Sequence, residues 1–146
     1  MLGRQAEELI REENWYVSAL GSISALIMET LPDLNWAGFY LLYGGQLTVG
    51  PYQGRPACIH IPPGKGVCGA AAERDETLVV PDVHAFPGHI ACDGASRSEI
   101  VIPIHAGGRV TGVLDIDSPL PGRFTEADRR ELEDTVRAIE RGIRWE

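Results

Sequence analysis

The stretch EIVIPIHAGGRVTGVLDID, Glu99 to Asp117, predicts a β-hairpin at the centre of the fold. Two runs rich in branched apolar residues, EIVIPI and RVTGVLDID, flank the turn Ala106–Gly107–Gly108. Branched residues favour strands, and a short glycine-containing connection joins antiparallel neighbours. Because side chains alternate along a strand, Asp115 and Asp117 share one face and Ile116 lies on the other. The hairpin therefore brings acidic groups to one end of an otherwise apolar pair of strands.

Apolar periodicity and turn-forming residues outside this hairpin predict the remaining elements. Helical spacing predicts an N-terminal helical segment that breaks near Glu13–Asn14 and ends at Pro32. Further elements are predicted as strands at residues 35–43, 46–50, 57–61 and 77–80, a short helix at 67–75, and a closing helix that Thr125 and Asp128 open with a capping-box pattern. Short turns between consecutive strands favour an α+β fold with a mainly antiparallel central sheet. We expect the N- and C-terminal helices on one face, and loops with the short helix on the other.

Length and charge narrow the class of protein. The 146 residues suit one domain covering positions 1–146. A net charge of −8, without a cluster of Lys and Arg, argues against nucleic acid or an anionic membrane as partner. No apolar run is long enough to cross a bilayer, and the N-terminus MLGRQAEELIREE lacks the apolar core of a signal peptide. We therefore expect a cytoplasmic protein.

The three cysteines are candidates for chemistry. Cys92 lies in HAFPGHIACD, within a long irregular stretch at Pro81–Ser96, and long loops often serve a function. As a thiolate it would be a nucleophile, but a free cysteine is also among the most buried residue types. Cys58, in the middle of the predicted strand ACIHI, and Cys68, at the start of the short helix, suit packing when taken singly. Together the three could form a redox set that passes through a disulfide.

Zinc is the rival interpretation of the same region. Its possible ligands are Cys58, His60, Cys68, His84, His89 and Cys92. Structural zinc sites usually show close pairs such as CxxC or HxxxH, and CIH and HIAC only approximate them. The spacing therefore disfavours a metal, and none is predicted.

Acidic and aromatic residues suggest a pocket. Two acids, Asp115 and Asp117, lie near the end of a strand, and Glu99 opens the preceding strand. This placement suits either a solvated turn or a site for a cationic group. A pair of such carboxyls with a raised pKa could also hand over a proton. Trp36 and Tyr40 share one face of their strand and could wall an apolar pocket with polar tips free for a ligand.

The same residues resemble a known family. NWAGFYLL, GPYQGRPACIHIPPGKGVCG, VPDVHAFPGHIACDGASRSEIVIPI, GVLDIDSP and FTEADRRELE closely resemble the free methionine-(R)-sulfoxide reductases, enzymes built on a GAF fold. The resemblance extends from about Leu31 to Leu132 and includes all three cysteine contexts. It implies reduction of free methionine-(R)-sulfoxide rather than of the oxidised residue within a protein.

The resemblance also implies a role for each candidate residue. Cys92 is then the nucleophile, Cys58 the main resolving thiol and Cys68 an auxiliary that can join a disulfide. The implied substrate pocket consists of Trp36, Tyr40, Glu99, Asp115 and Asp117. Glu99 or Asp117 would protonate the sulfoxide oxygen, and Asp115 would hold the substrate's ammonium group. No bound cofactor is expected, because a thioredoxin-type protein would regenerate the thiols. A homodimer is a possible assembly.

A function of another class competes with this one. GAF domains also serve as sensory modules that bind a small ligand without chemistry. Such a module has no need of three thiols near its pocket, so loss of the thiols would leave its ligand affinity intact.

Overall fold

A six-stranded antiparallel sheet forms the centre of the structure, which is a computed structural model describing residues 1–146. The strands are β1 (Trp36–Tyr43), β2 (Gln46–Gly54), β3 (His60–Ile61), β4 (Leu78–Val80), β5 (Ser98–Ala106) and β6 (Arg109–Ser118), in the spatial order β3-β2-β1-β6-β5-β4. The helices are α1 (Leu2–Glu12), α2 (Tyr16–Thr30), α3 (Gly66–Arg74) and α4 (Glu126–Gly142). The predicted α+β class with an antiparallel sheet is confirmed.

The two faces of the sheet bury two separate groups of side chains. Ala37 and Phe39 of β1 pack with Ile116 of β6 against α1, α2 and α4. Trp36 and Tyr40 emerge on the opposite face, which α3 and the loop after β4 cover. Because side chains alternate along a strand, one set of residues packs against α1, α2 and α4, and the other set lies on the α3 face.

The helix ends follow the sequence signals. The N-terminal segment divides into α1 and α2 around Glu13–Asn14, as predicted. At the start of α4, the Thr125 hydroxyl accepts a hydrogen bond from the Asp128 backbone N–H at 3.2 Å, and the Asp128 carboxylate accepts one from the Thr125 N–H at 2.8 Å. The predicted capping box is therefore present. None of the four helices has both the length and the apolar character needed to span a bilayer.

The prediction that Cys58 lies in the middle of a strand is wrong. β3 is a two-residue edge strand that pairs with Leu47 and Thr48 of β2. Cys58 precedes it, and its carbonyl accepts a hydrogen bond from the Tyr40 hydroxyl at 2.9 Å. The backbone at Cys58 is therefore held toward the α3 face instead of extending the ladder, and its alternation with Ile59 and Ile61 does not apply.

Candidate active site

A disulfide between Cys58 and Cys92 lies at the edge of the α3 face. The two Cα atoms are 5.4 Å apart, although the residues are 34 positions apart in sequence. Cys92, in the loop between β4 and β5, also lines the cavity beneath. The structure thus brings together two of the three predicted thiols and leaves Cys68 free.

Trp36 and Tyr40 line one wall of this cavity, and their rings stack with that of Tyr52. Trp36 stacks between Tyr40 at 5.8 Å and Tyr52 at 5.0 Å between ring centroids. The Trp36 indole N–H donates to the Arg55 carbonyl at 3.2 Å, and the Tyr40 hydroxyl donates to the Cys58 carbonyl. The predicted wall is present, but the expectation that its polar tips are free for a ligand is wrong. Both tips fix the backbone that leads to Cys58.

Tyr52 was missed because its place depends on an irregular register. β1 and β2 are joined at Gly44–Gly45, and a register shift between Gly38 and Tyr40 moves Tyr52 opposite Gly38. A Cβ at Gly38 would collide with Tyr52, so only glycine admits this close approach. A sequence count along a regular hairpin gives the wrong partner, which is why the third ring was not foreseen.

Three carboxyl groups form the floor. Glu99 of β5 pairs with Asp117 of β6, and Asp115 lies two residues earlier on the same face. Burial and the neighbouring aspartates raise the pKa of Glu99 well above its ordinary value. Burial also raises the pKa of Asp115, and raises that of Asp117 strongly. Glu99 and Asp117 therefore retain protons at a pH where exposed carboxyls have lost them, whereas hydrogen bonds from Glu99, Asp117 and Cys68 oppose the rise in the pKa of Asp115.

Two of these acids have unsatisfied oxygens. Asp115 Oδ1 and Asp117 Oδ1 are buried without a hydrogen-bond partner. A buried acceptor left unpaired costs about 1–3 kcal/mol, more when it is charged. The missing donor can come from a ligand or from a protonated neighbouring carboxyl, and the site for a cationic group stays a prediction.

Cys68 lies beside the acids. It is the third residue of α3, is 4% exposed, and its Sγ is 4.0 Å from Glu99 Oε2. Burial and the nearby carboxyls raise the pKa of its thiol well above the ordinary value. In this arrangement Cys68 is a protonated thiol in the floor of the cavity.

Asn35 holds the loop between β4 and β5, called here the cysteine loop because it contains Cys92, against the sheet. Its side-chain N–H₂ donates to Asp93 Oδ2 at 3.0 Å and to Ser96 Oγ at 3.1 Å. Asp93 Oδ1 in turn accepts from the Ala95 backbone N–H at 2.9 Å. Sequence reasoning missed Asn35 and Ser96. The Asp93–Gly94 pair indicates a turn, but no local sequence pattern indicates which strand the turn is hydrogen-bonded to.

The residues considered as zinc ligands do not assemble into one site. Cys58 and Cys92 are joined to each other, and His60 is exposed with its Nδ1 3.4 Å from the Thr48 hydroxyl. The rings of His84 and His89 are 6.1 Å apart. Burial, and then the proximity of His84, lower the pKa of His89, so it tends toward the neutral form. Both histidines lie in the loop between β4 and β5, and His89 lines the same cavity as Cys92.

The cavity between floor and loop measures about 50 Å³. Besides Cys92, its lining includes Trp36, Tyr40, Arg55, Cys68, His89, Glu99, Asp115 and Asp117. All five residues of the predicted substrate pocket therefore face one space. The volume admits a few water-sized groups but not a whole amino acid, and the cavity is partly open to solvent.

Comparison with known proteins agrees with this geometry. The GAF domain family matches residues 18–143, so the chain is a GAF-domain protein. The free methionine-R-sulfoxide reductase of Escherichia coli is 48% identical over 140 residues, covering 96% of this chain and 85% of the relative. The chain belongs to the free methionine-(R)-sulfoxide reductases, a family of oxidoreductases within the GAF-domain proteins.

Solved structures give the same result. The reduced form of fRMsr of Staphylococcus aureus superimposes with a TM-score of 0.94 at 50% identity, covering 98% of this chain and 93% of that one. A structure described as a putative GAF sensor protein from Burkholderia vietnamiensis has a TM-score of 0.93 at 50% identity, with 97% and 90% coverage. The predicted GAF fold and family resemblance are confirmed.

Proposed function

We propose that the protein reduces free methionine-(R)-sulfoxide to methionine, with Cys92 as the nucleophile. The observation that carries the proposal is the Cys58–Cys92 disulfide beside a cavity floored by buried carboxyls. A disulfide is the product when a cysteine sulfenic acid condenses with a second thiol. Its place next to unsatisfied acids supports oxygen transfer from a ligand held in that cavity. The names of the E. coli and S. aureus relatives supply the substrate.

The proposed chemistry has three balanced steps. The Cys92 thiolate attacks the sulfoxide sulfur, the oxygen is protonated and transferred, and methionine leaves with Cys92 as sulfenic acid. The Cys58 thiol then displaces water from the sulfenic acid and forms the disulfide. An external dithiol of the thioredoxin type reduces that disulfide, is itself oxidised to a disulfide, and restores both thiols.

Recognition of the free amino acid rests on its charges. The ammonium group pairs with Asp115, whose Oδ1 lacks a partner. Backbone N–H groups of the cysteine loop hold the substrate carboxylate, because the acids of the floor would repel it. The ring of Trp36 packs on the methyl group and thereby favours one sulfoxide epimer. A requirement for both free termini excludes methionine sulfoxide inside a protein.

Glu99 or Asp117 supplies the proton to the sulfoxide oxygen. Burial raises the pKa of both, so each holds a proton near neutral pH. Their adjacent positions in the β5–β6 register bring both within the same part of the cavity.

A cytoplasmic location suits an enzyme that needs a reducing partner after every turnover.

Turnover with a single epimer tests the proposal. Racemic methionine sulfoxide and dithiothreitol are mixed with the protein, and each epimer is followed by chiral chromatography. We expect consumption of the R epimer alone and formation of methionine. Cys92→Ser should abolish turnover, whereas Cys58→Ser should still convert about one equivalent before regeneration becomes slow. Absence of turnover, or undiminished turnover in Cys92→Ser, contradicts the proposal.

A sensory module is the second candidate, favoured by the description of the B. vietnamiensis structure. That function predicts ligand binding without chemistry. In that case the unmodified protein would form no methionine. Replacing all three cysteines by serine would also leave the affinity for methionine sulfoxide unchanged. The turnover assay therefore separates the two candidates.

A further inference from the structure

Cys68 differs from the other two cysteines in its contacts. It is outside the disulfide, and its Sγ faces Glu99 Oε2 at 4.0 Å. An oxygen of Asp115 completes a group in which all three side-chain atoms lie within 4.8 Å of one another. The thiol is therefore in contact with the acids of the floor.

The surroundings of Cys68 oppose the chemistry of a resolving thiol. Attack on a sulfenic acid requires a thiolate. Burial, followed by the charges of Asp115 and Glu99, raises the pKa of Cys68, so the thiolate is disfavoured there. A protonated thiol is instead a hydrogen-bond donor, although a weak one.

Besides Cys68, Asp117 is hydrogen-bonded to both acids of the Glu99–Asp115 pair. Asp115 Oδ1 is without a partner, and Asp115 is only 5% exposed. The titratable groups facing the pair are Cys68 from α3, Asp117 from β6 and Tyr40 from β1, with Arg55, His89 and Asp93 lining the same cavity. Tyr40 already donates to Cys58, so the donors that face the pair are Asp117 and the Cys68 thiol.

We propose that Cys68 is a positioning residue whose thiol donates its hydrogen to the Glu99–Asp115 carboxyl pair and so holds one negative charge of the pair toward the substrate's ammonium group. This assignment rests on the proposed function for the identity of the substrate. It gives Cys68 a role in substrate affinity, in place of the disulfide exchange that the family resemblance implies.

Paired substitutions separate the two roles. Cys68→Ala removes the donor, and losing a hydrogen bond of about 1 kcal/mol raises KM about 5-fold, with kcat changed less than about 2-fold. Cys68→Ser keeps a donor and restores most of the affinity. Leu47→Ala, which removes buried atoms from the same hydrophobic cluster but no donor, should leave KM unaltered. A role in disulfide exchange predicts instead that Ala and Ser variants lose multiple-turnover activity alike, which would overturn the proposal.

Vibrational spectroscopy tests the hydrogen bond without turnover. In the oxidised protein Cys68 is the sole thiol, so the Raman S–H stretching band belongs to it alone. We expect this band below the frequency of an unbonded thiol and shifted again in Glu99→Gln or Asp115→Asn. A band at the unbonded frequency, indifferent to both substitutions, would refute the role of Cys68 even if the protein proves to be an active reductase. If the unmodified protein has no reductase activity, the proposed function fails independently of this band.

Discussion

At Glu99, burial and two neighbouring aspartates act on the pKa in the same direction. If Glu99 is the acid that protonates the sulfoxide oxygen, its protonated form is the active one. Activity should then fall as pH rises through its raised pKa. Glu99→Gln cannot deliver a proton, and general acid catalysis contributes about 10²–10⁴-fold to a rate. We expect kcat to fall by that order and the alkaline limb of its pH profile to disappear.

The matched variant for this measurement is Asp117→Asn, since Asp117 pairs with Glu99 across the two strands. If Asp117 is the proton donor, this second substitution should remove the alkaline limb and Glu99→Gln should not. A limb that persists in both variants contradicts a carboxylic acid as the source of the proton.

Asp115 permits a separate prediction about binding. Its replacement by asparagine keeps the size of the side chain but removes the charge proposed to meet the ammonium group. Losing a charged hydrogen bond of about 1.5–3 kcal/mol weakens binding about 10- to 150-fold. We expect this loss in KM, with a smaller effect on kcat. The deaminated analogue of the substrate should bind the variant and the unmodified protein equally; an equal loss for substrate and analogue would contradict the pairing.

Single residues show how far the sequence could predict the site. Alternation along a strand was enough to place Trp36 and Tyr40, and likewise Asp115 and Asp117, on the cavity face. Asn35 could not be foreseen, because its partner Asp93 is 58 positions away. The proposed pairing of Cys58 with Cys92 came from the family resemblance, since their residues alone left packing and chemistry open.

At the level of elements, His105 connects strand β5 to α4 and to the end of α3. Its Nδ1 is 2.7 Å from Glu140 of α4, and its Nε2 is 2.6 Å from Asp75, the residue that ends α3. Hydrogen bonding to Glu140, assisted by Asp75, raises the pKa of His105. The doubly protonated ring can donate to both carboxylates, and the neutral ring to one.

This contact predicts a stability that depends on pH. Because the folded-state pKa is raised, the contribution is fully present below the unfolded value of about 6.5 and is lost as pH rises through the folded value. Solvent screening limits it to about 0.5–1 kcal/mol, since the side chain is 39% exposed. His105→Gln should therefore lower the free energy of unfolding more at pH 5.5 (chosen to be about one unit below the unfolded value) than at alkaline pH. Urea titrations measure this, with His60→Gln as control; equal losses at both pH values would count against the contact.

Element boundaries illustrate why sequence patterns predict the fold class more reliably than they predict the residues at which each strand begins and ends. Long apolar runs such as the one in β5 determine strands by burial alone. The alternation in ACIHI was also typical of a strand, yet only His60 and Ile61 pair with β2. A tertiary contact of the preceding backbone with Tyr40 prevailed over the local preference, and no local pattern records that contact.

For the molecule as a whole, the small cavity beneath the disulfide predicts that oxidation state controls access. Its volume of about 50 Å³ is too small for an amino acid. We therefore expect reduction to release Cys92 before substrate enters. We expect methionine sulfoxide to bind the oxidised protein at least about 10-fold more weakly than it binds the reduced Cys92→Ser variant, a difference of about 1.4 kcal/mol. Isothermal titration calorimetry measures both affinities, and equal values would show that the loop does not close the site.

The disulfide has a further consequence for the chain, because Cys58 and Cys92 enclose α3 and β4 in a covalent loop of about 35 residues. Closing such a loop restricts the unfolded chain and favours the folded state by about 4 kcal/mol in the loop-entropy treatment. The free energy of unfolding in urea should therefore be higher for the oxidised protein than for the same protein in dithiothreitol, and Cys58→Ser should remove the difference. In the proposed catalytic cycle, the polypeptide would alternate between a cross-linked and a linear form of the unfolded ensemble. A shortage of reductant, the condition under which oxidised protein accumulates, is also the condition under which it best resists unfolding and proteolysis.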